Sequence, residues 1–534
     1  MAYVITQNCC KDASCVPACP VDCIRPLAGA VGEPGAQMLF IDPETCIDCG
    51  ACADECPVGA VYSEYDLPPE LERFRDINAA YFQRHPLEAT VPETVSPAPA
   101  RAELRVAVVG AGPAACYAAA ELLGIPGVEV DLFERLPTPF GLIRAGVAPD
   151  HQRTKSIVKI FDRAFSDSRF GCHLHVEAGR DITHDELLAH HHAVIYAVGA
   201  SDSRDLGIAG EELPGNYAAA DFVGWYNGHP DHADRSFELS GSRAVIIGNG
   251  NVALDVARML LLDAPALGRT DIAEHAADAL ADSGIGEVVI LGRRGPREGA
   301  FSAGEFHALG HLPGIDVVIE GGDLTAHPDD DVETTIKLEL AREYADRGTT
   351  PGNRRIVFRF NSSPVELTGR ERVTGVRVLS TVPGENATEL LDTALVLRSI
   401  GFRGRALAGL PFDDAAGIIP NERGRVVDSD GRTLPGTYVT GWIKRGPRGV
   451  IGTNRTCAAE TVAQLLADYA AGTLHRDVGD RGAVRELLAG RGITPVDWPG
   501  WRAIDDAERA RGASAARPRV KFVTIPELLA GSRG

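Results

Sequence analysis

The residues best suited to chemistry are cysteines near the start of the chain. Nine of the twelve cysteines lie before residue 57, and four of them belong to the run CIDCGACADECP, Cys46 to Pro57. With this C-x2-C-x2-C-x3-C-P spacing, three thiolates on one tight loop hold three irons of a cubic iron–sulfur cluster, while the fourth thiolate ligates another cluster. The run therefore predicts a second, similar run that completes both clusters.

That second run is CCKDASCVPACP, Cys9 to Pro20. Reading back from Pro20 with the same spacing gives Cys19, Cys15, Asp12 and Cys9, so a carboxylate stands where the second thiolate would be. We expect one [4Fe–4S] cluster on Cys19, Cys46, Cys49 and Cys52, and a second cluster on Cys9, Cys15 and Cys56. The missing thiolate favours [3Fe–4S] for the second cluster, although Asp12 as a weak oxygen ligand would retain a fourth iron and make it [4Fe–4S].

Zinc is the competing metal for clustered cysteines, because it also favours four thiolates. Structural zinc sites use two separated C-x2-C pairs, whereas these two runs interleave and each ends in Cys-Pro, so iron–sulfur clusters are favoured. Cys10 and Cys23 have no place in the spacing, and we expect them to be buried small apolar residues, although Cys10 could replace Cys9.

Asp12→Cys is expected to convert a three-iron centre into a four-iron centre.

A first dinucleotide fingerprint lies at LRVAVVGAGPAACYAAAELL. A β-branched run leads into Gly110-x-Gly112-x-x-Ala115 and an Ala-rich helix. Gly110 permits the tight turn, and Gly112 lets the backbone approach a pyrophosphate at the helix N-terminus. The next strand, VEVDLFE, ends in Glu134, a carboxylate suited to a ribose 2′-hydroxyl. This order of elements predicts a Rossmann-type dinucleotide site.

A second fingerprint follows at SRAVIIGNGNVALDVARMLL, with Gly248-x-Gly250-x-x-Ala253. After an Ala-rich helical insertion, the strand EVVILGRRGP ends in Arg293 and Arg294, where the first unit had an acid. An acid would repel a 2′-phosphate, whereas two guanidiniums bind it through charge-assisted hydrogen bonds. The second site therefore predicts NADP(H) rather than NAD(H). A solvated arginine pair is the alternative.

A third block, GTYVTGWIKRGPRGVIGTNRTCAAETVAQLL, reads as a strand, a Gly-rich turn and a helix. Two dinucleotide units on one chain suggest a flavin facing a nicotinamide. If the third block returns to the first unit, the amides near Gly449–Gly452 and the N-terminus of the next helix could hold the flavin ring, where negative charge develops on reduction. The alternative is an ordinary loop.

These blocks resemble a known family. Residues from about 104 onward are similar to the adrenodoxin reductase type of ferredoxin–NADP reductase, in PFGLIRAGVAPDH, GEELPGNYAAADFVGWYNG, GNGNVALDVAR, GRRGP and GWIKRGPRGVIGT. Residues 2–65 resemble bacterial two-cluster ferredoxins. The order of the two parts is similar to the fused ferredoxin/ferredoxin–NADP reductases of actinobacteria.

The resemblance implies cofactor contacts at particular positions. FAD contacts are implied at Ala114, Glu134, Leu142, Ala178, Trp442, Gly449, Val450 and Ile451. NADP(H) contacts are implied at Asn249, Gly250, Asn251, Val252, Arg293, Arg294, Glu305 and Gly449. The small side chain of Ala178 limits it to main-chain contact, and Arg204 is a weaker candidate for a phosphate. His151 either bonds near the flavin or is a structural histidine.

The predicted fold class is α/β, with two Rossmann-like dinucleotide-binding domains of the glutathione-reductase kind preceded by a small α+β ferredoxin domain. We expect the ferredoxin domain at 1–65 and a helical segment with a Pro/Ala-rich linker at 66–103. The FAD domain is expected at 104–202 and 395–534, and the NADP(H) domain at 203–394. Within the latter, 335–390 is expected to be polar and strand-like.

The composition and charge of the chain limit the kinds of partner and the cellular location that we expect. The formal net charge of −21 argues against nucleic acid, whose phosphates need a basic face. No stretch of about 18 apolar residues predicts a membrane span, and no secretion signal is evident, so we expect a cytoplasmic protein. Residues 1–75 hold twelve acids against four Lys and Arg. This is either a solvated surface or a docking face for a basic partner.

The resemblance implies an enzyme, a ferredoxin–NADP(+) reductase. Electrons would pass from NADPH through FAD to the clusters, and on to an acceptor such as a ferredoxin or a cytochrome P450, or would run in reverse. No catalytic acid–base triad is required. Two alternatives are a subunit of a larger complex, like the small subunit of glutamate synthase, and a non-enzymatic redox sensor. Disulfide reduction is disfavoured, since no C-x2-C or C-x4-C pair follows Cys56.

Overall fold

The computed structural model describes residues 2–26, 37–87 and 102–533. The cysteine-rich head, residues 2–26 and 37–66, contains two short antiparallel strand pairs and two single-turn helices. The pairs are Tyr3–Ile5 with Val61–Ser63 and Ile24–Arg25 with Phe40–Ile41, and the helices are Cys15–Ala18 and Ala51–Asp54. After a 3-10 turn, Pro69–Leu71, the helix Arg73–Arg84 follows. Most of the predicted linker, 88–101, lies outside the described residues.

The first fingerprint belongs to a seven-stranded sheet. In spatial order its strands are Asn421–Glu422, Arg425–Val427, Thr433–Val439, Ala193–Tyr196, Leu104–Val109, Val128–Glu134 and Phe170–Leu174. The strand Thr433–Val439 pairs in parallel with Ala193–Tyr196. The third block therefore returns to the first unit, which is the condition under which its turn could hold the flavin ring. The helices Pro113–Leu123 and Thr453–Ala470 follow the two glycine-rich turns of this unit.

The second fingerprint belongs to a six-stranded sheet, which is parallel throughout. Its strands in spatial order are Asn216–Ala218, Leu395–Arg398, Arg243–Ile247, Glu287–Leu291, Arg354–Arg359 and Ile315–Glu320. The short strands Asp202–Ser203 and Phe402–Arg403 pair where the chain passes between the two sheets. Because Leu395–Arg398 lies in this sheet, we propose that the NADP(H) unit ends after Arg398.

The expectation that residues 335–390 are strand-like is wrong for the first part of that section. The first part of the 335–390 section is the helix Val332–Arg347, and strands begin only at Arg354. The Asp331 side chain caps the helix by accepting from the Thr334 amide, and the buried residues Val332, Ile336 and Leu340 recur every four positions. The antiparallel strands Ser362–Gly369, Val373–Ser380 and Thr388–Asp392 follow as a separate sheet.

The remaining helices cover the sheets and form the C-terminal region. They are Gly141–Ala145, Gln152–Lys155, Asp162–Phe165, His184–His190, Ala219–Tyr226, Asn251–Leu261, Ala264–Leu267, Glu274–Ala281, Ala303–Leu309, Trp442–Arg445, Ala483–Gly490, Trp498–Ser514 and Ile525–Gly531. Further 3-10 turns are Ser156–Phe161, Pro230–His232 and Pro296–Glu298. Within the described ranges, none of the helices is both long and apolar enough to span a bilayer.

Candidate functional site: two cysteine-lined cavities beside two dinucleotide sites

The head contains two small cavities, and each groups one of the predicted ligand sets. The outer cavity is lined by Cys19, Cys46, Cys49 and Cys52 together with Tyr3 and Cys23. The inner cavity is lined by Cys9, Cys15 and Cys56 together with Cys10 and Asp12. The interleaving predicted from the spacing is therefore the one the fold adopts. Cys10 and Cys23 are buried, as expected.

The donor chemistry of both cavities suits iron–sulfur clusters. Burial raises the pKa of Cys9 to about 11 and of Cys52 to about 12, so these thiols hold their protons unless a cation replaces them. The Cys9 sulfur also accepts from the Lys11 and Leu39 amides at 3.4 Å, and hydrogen bonds of this kind tune cluster potentials.

The inner cavity faces the dinucleotide units, and the outer cavity faces solvent. The Gly452 amide donates to the Cys10 carbonyl at 2.8 Å, and Cys9 and Cys56 pack against the same apolar core as Ile451. Cys49, in contrast, is exposed. The two predicted cluster sites thus differ in position: one lies at the Gly449–Gly452 turn and the other at the surface.

The first dinucleotide turn has the geometry that its glycines predict. Gly110 has φ +103°, and a Cβ there would lie 2.6 Å from the Ala197 carbonyl oxygen. Gly112 has open space where its Cβ would be, which leaves the helix N-terminus accessible to a phosphate. The Glu134 carboxylate accepts from the Ala111 amide at 2.9 Å, and burial raises its pKa. The strand-end acid is thereby fixed beside the turn.

The other predicted flavin residues converge on this turn. Gly141 lies against Gly112, a Cβ on Gly441 would contact that of Ala114, and Leu142 remains 47% exposed beside them. The Trp442 indole Nε1 is buried without a hydrogen-bond partner among the described residues, and a buried donor of this kind calls for a partner such as a cofactor. These features fit FAD. Ala178 lies apart from these contacts, in a short bridge with Ile182.

The second dinucleotide turn repeats the first, since Gly248 has φ +102° and packs on the Ser399 backbone. Asn249 and Asn251 connect this turn to the segment before the helix Ala303–Leu309, by accepting from the Ala300 and Ser302 amides. Gly250 is open, and Val252 lies in the first turn of the helix Asn251–Leu261.

Arg293 and Arg294 follow the strand Glu287–Leu291 and are exposed. Across residues 2–26, 37–87 and 102–533, neither guanidinium has an ion pair or a hydrogen bond, so both are available to a 2′-phosphate. Arg204 instead lies beside Gly401, where the chain passes between the sheets.

A buried charged group joins the two dinucleotide units. Arg258 pairs with Asp150 at 2.8 Å and with Asp255 at 2.7 Å, and it contacts the His151 Nε2 at 2.9 Å. Glu305 lies 4.0 Å from both Arg258 and His151, and burial raises its pKa. The atoms of His151, Asp255 and Glu305 are close enough to hold a cation, but the guanidinium already supplies the positive charge.

The C-terminal helix Trp498–Ser514 stabilises the helix Gly141–Ala145, which lies beside the Gly110–Gly112 turn. Sequence analysis gave this C-terminal helix no role. Glu508 is fully buried and receives two hydrogen bonds from Arg144, at 2.5 and 2.9 Å, and one from Arg519 at 3.0 Å. Despite the opposing effect of burial, the two guanidiniums hold the pKa of Glu508 below its usual value. Sequence reasoning missed this contact, because Arg144 and Glu508 are 364 positions apart.

We therefore expect Glu508→Ala to destabilise the protein and to release flavin. Breaking a buried ion pair leaves an uncompensated charge and costs roughly 3–5 kcal/mol. The measurements are the thermal midpoint and the amount of flavin that co-purifies. Asp506→Ala, which removes an exposed carboxylate from the same helix, is the matched control. An unchanged midpoint for Glu508→Ala would show that the tail does not brace the helix.

Comparison with known proteins agrees with this geometry. A family model described as "4Fe-4S binding domain" matches residues 39–62, and one described as "Pyridine nucleotide-disulphide oxidoreductase" matches residues 104–291. A probable ferredoxin/ferredoxin–NADP reductase of Mycobacterium leprae is 47% identical over 549 residues, covering 100% of this chain and 98% of that protein. The mitochondrial NADPH:adrenodoxin oxidoreductase of Arabidopsis thaliana is 39% identical over 80% of this chain and 95% of its own length.

Among solved structures, Mycobacterium tuberculosis FprA in complex with NADPH superposes with a TM-score of 0.75. It is 45% identical and covers 81% of this chain and all of its own. The two dinucleotide units thus define a pyridine-nucleotide oxidoreductase of the α/β class, which confirms the predicted fold. With its cysteine-rich head, the chain belongs to the ferredoxin/ferredoxin–NADP reductase family. The family predicted from the sequence is confirmed.

Proposed function

We propose that this protein transfers electrons between NADPH and an external acceptor protein, through FAD and two iron–sulfur clusters held by its own head. The observation that carries the proposal is the contact between the inner cysteine cavity and the Gly449–Gly452 turn, through the 2.8 Å hydrogen bond from the Gly452 amide to the Cys10 carbonyl. A cluster site in this position receives electrons from a flavin on the same chain without a docking step.

When bound, FAD would supply the conversion of a hydride from NADPH into single electrons, and the clusters would carry one electron at a time. The residues of the chain bind and orient these groups. The turn at Gly110 and Gly112 with Glu134 would hold the FAD pyrophosphate and ribose. Arg293 and Arg294 would select the NADP(H) 2′-phosphate. The Glu305–Arg258–His151 group would keep the two units in register, so that nicotinamide and flavin face each other.

The two cavities suggest an order of transfer. The inner cluster would be held by Cys9, Cys15 and Cys56, next to the Gly449–Gly452 turn. A [3Fe–4S] cluster is favoured there, because Asp12 stands where a fourth thiolate would be. Cys19, Cys46, Cys49 and Cys52 would hold a [4Fe–4S] cluster at the surface. We therefore propose that electrons enter the head at the inner cluster and leave at the outer one.

The surface around the outer cavity suggests the kind of acceptor. Ile47, which lines the cavity, is 59% exposed. Burial together with the carboxylates of Asp48, Asp54 and Asp66 raises the pKa of Tyr3, which also lines the cavity. An apolar centre within an acidic surround fits a partner with a basic rim, such as a ferredoxin-dependent enzyme, another ferredoxin or a cytochrome P450.

The cysteines, all unpaired, agree with a cytoplasmic location.

Anaerobic titration of the full-length protein with NADPH tests the proposal. We expect flavin absorbance to bleach first and an EPR signal of a reduced cluster to follow, because the inner cavity lies beside the flavin side. A bleached flavin with both clusters still oxidised would overturn transfer from NADPH to the head. NADH, which lacks the 2′-phosphate, is the matched control and should act far more slowly.

A further inference from the structure

Asp12 stands in the ligand pattern of the inner cluster, yet protein donors occupy both of its carboxylate oxygens. Its side chain is 3% exposed. Oδ2 accepts from the Tyr117 hydroxyl at 2.7 Å, and Oδ1 accepts from the Ser14 amide at 3.1 Å and from the Ser14 hydroxyl. The carboxylate is therefore held by a residue of the first dinucleotide unit, 105 positions away.

The groups that hold Asp12 belong to the elements that form the flavin site. Tyr117 lies on the helix Pro113–Leu123, which starts at the Gly110–Gly112 turn. Arg455 lies in the first turn of the helix Thr453–Ala470, directly after the Gly449–Gly452 turn. Its guanidinium donates to the Asp12 backbone carbonyl at 2.8 Å and lies 3.7 Å from Oδ1.

The backbone on either side of Asp12 lies against the same turn. The Gly452 amide donates to the Cys10 carbonyl, and a Cβ on Gly452 would overlap the backbone of Lys11 and Asp12. Two backbone contacts thus hold the segment from Cys10 to Asp12 against the Gly449–Gly452 turn. The hydroxyl of Tyr117 fixes the buried carboxylate of Asp12 in the same segment.

On the basis of the proposed function, we propose that Asp12 is a positioning residue that anchors the inner-cluster loop to the flavin unit, and that it is not an iron ligand. Tyr117 acts together with Asp12, because the Tyr117 hydroxyl on the helix Pro113–Leu123 donates to the Asp12 carboxylate in the head. With a carboxylate instead of a thiolate at position 12, the inner cluster loses one iron ligand. In return, the loop that carries the cluster ligands is attached to the flavin unit through Tyr117.

The test compares Tyr117→Phe, Asp12→Ala and Asp12→Asn as holoproteins. Asparagine keeps a hydrogen bond to each neighbour, because its oxygen accepts from the Ser14 amide and its Nδ2 donates to the Tyr117 hydroxyl. It lacks the charge and is a poorer iron ligand, so it separates the two roles. Tyr438→Phe is the matched control, because it also removes a tyrosine hydroxyl that donates to a carboxylate at 2.7 Å, but its partner Asp468 lies near the C-terminal end of the helix Thr453–Ala470. The readouts are iron content, the EPR signature of the inner cluster, amide hydrogen exchange and the rate of cluster reduction after the flavin is reduced.

We expect Tyr117→Phe to raise exchange in residues 10–18 about tenfold, the effect of losing one buried charge-assisted hydrogen bond. Asp12→Ala should raise it at least as much, because it also removes the hydrogen bonds from Ser14. Cluster reduction should slow, while iron content and EPR signature stay unchanged. Asp12→Asn should raise exchange in residues 10–18 less than Asp12→Ala does, and Tyr438→Phe should behave as the parent protein there. A changed iron content or EPR signature in Asp12→Asn, or unchanged exchange in Tyr117→Phe, would overturn the proposal. Hydrogen exchange needs no electron transfer, so it tests the anchor even if NADPH fails to reduce the head.

Discussion

Replacing both Arg293 and Arg294 with alanine is expected to destroy the preference for NADPH over NADH. The two guanidiniums follow the strand Glu287–Leu291 of the second dinucleotide unit and are exposed without a described partner. Two charge-assisted hydrogen bonds to a 2′-phosphate contribute about 3 kcal/mol together, so kcat/KM for NADPH should fall somewhat more than a hundredfold. The value for NADH, which has no 2′-phosphate, should change little.

The measurement is steady-state reduction of a small artificial acceptor with each nucleotide, which reports the nucleotide site without the head. The matched control is Arg370→Ala with Arg432→Ala, which removes the same charge from two exposed positions. If the double variant at 293 and 294 kept the nucleotide preference of the parent protein, the strand-end arginines would not be the 2′-phosphate site. An equal loss with NADPH and NADH would point to damage of the turn itself.

Local patterns predicted most of the fold and which candidate site residues the fold brings together. The turns at Gly110 and Gly248 have φ values of +103° and +102°, because a tight strand-to-helix turn requires a conformation that glycine adopts without strain. The cysteine spacing likewise predicted which thiols share a cavity, since each run is a short loop with few possible geometries. In both cases the information lies within about twenty neighbouring residues.

Contacts between distant segments could not be predicted in this way. The alternation of Ile336, Leu338 and Leu340 reads as a strand, yet the Asp331 cap and packing on neighbouring elements make it a helix. The sequence presents Asp12 only as a candidate iron ligand, because it does not show that the Tyr117 hydroxyl lies beside this carboxylate. The same holds for Arg144 and Glu508. A hydrogen bond between residues more than a hundred positions apart leaves no periodic signal in either segment.

Replacing Cys49 with alanine is expected to abolish electron delivery to protein acceptors while leaving the reductase unit intact. Cys49 is the exposed thiol of the outer cavity, and a four-iron cluster without one of its four thiolates is lost or gives up one iron. Iron content should fall, reduction of a protein acceptor should drop to background, and NADPH should still bleach the flavin. The EPR signal of the inner cluster should persist, since Cys9, Cys15 and Cys56 line a separate cavity.

Cys23→Ala is the matched control, because Cys23 lines the same cavity but has no place in the ligand spacing. It should retain the iron content and the acceptor turnover of the parent protein. Full turnover in Cys49→Ala would contradict the proposed order, since electrons would then leave from the inner cluster or directly from the flavin. Loss of both EPR signals would mean that the two clusters do not assemble independently. A loss confined to the outer cluster and to the protein acceptor would establish that the surface around Cys49 is where electrons leave the head.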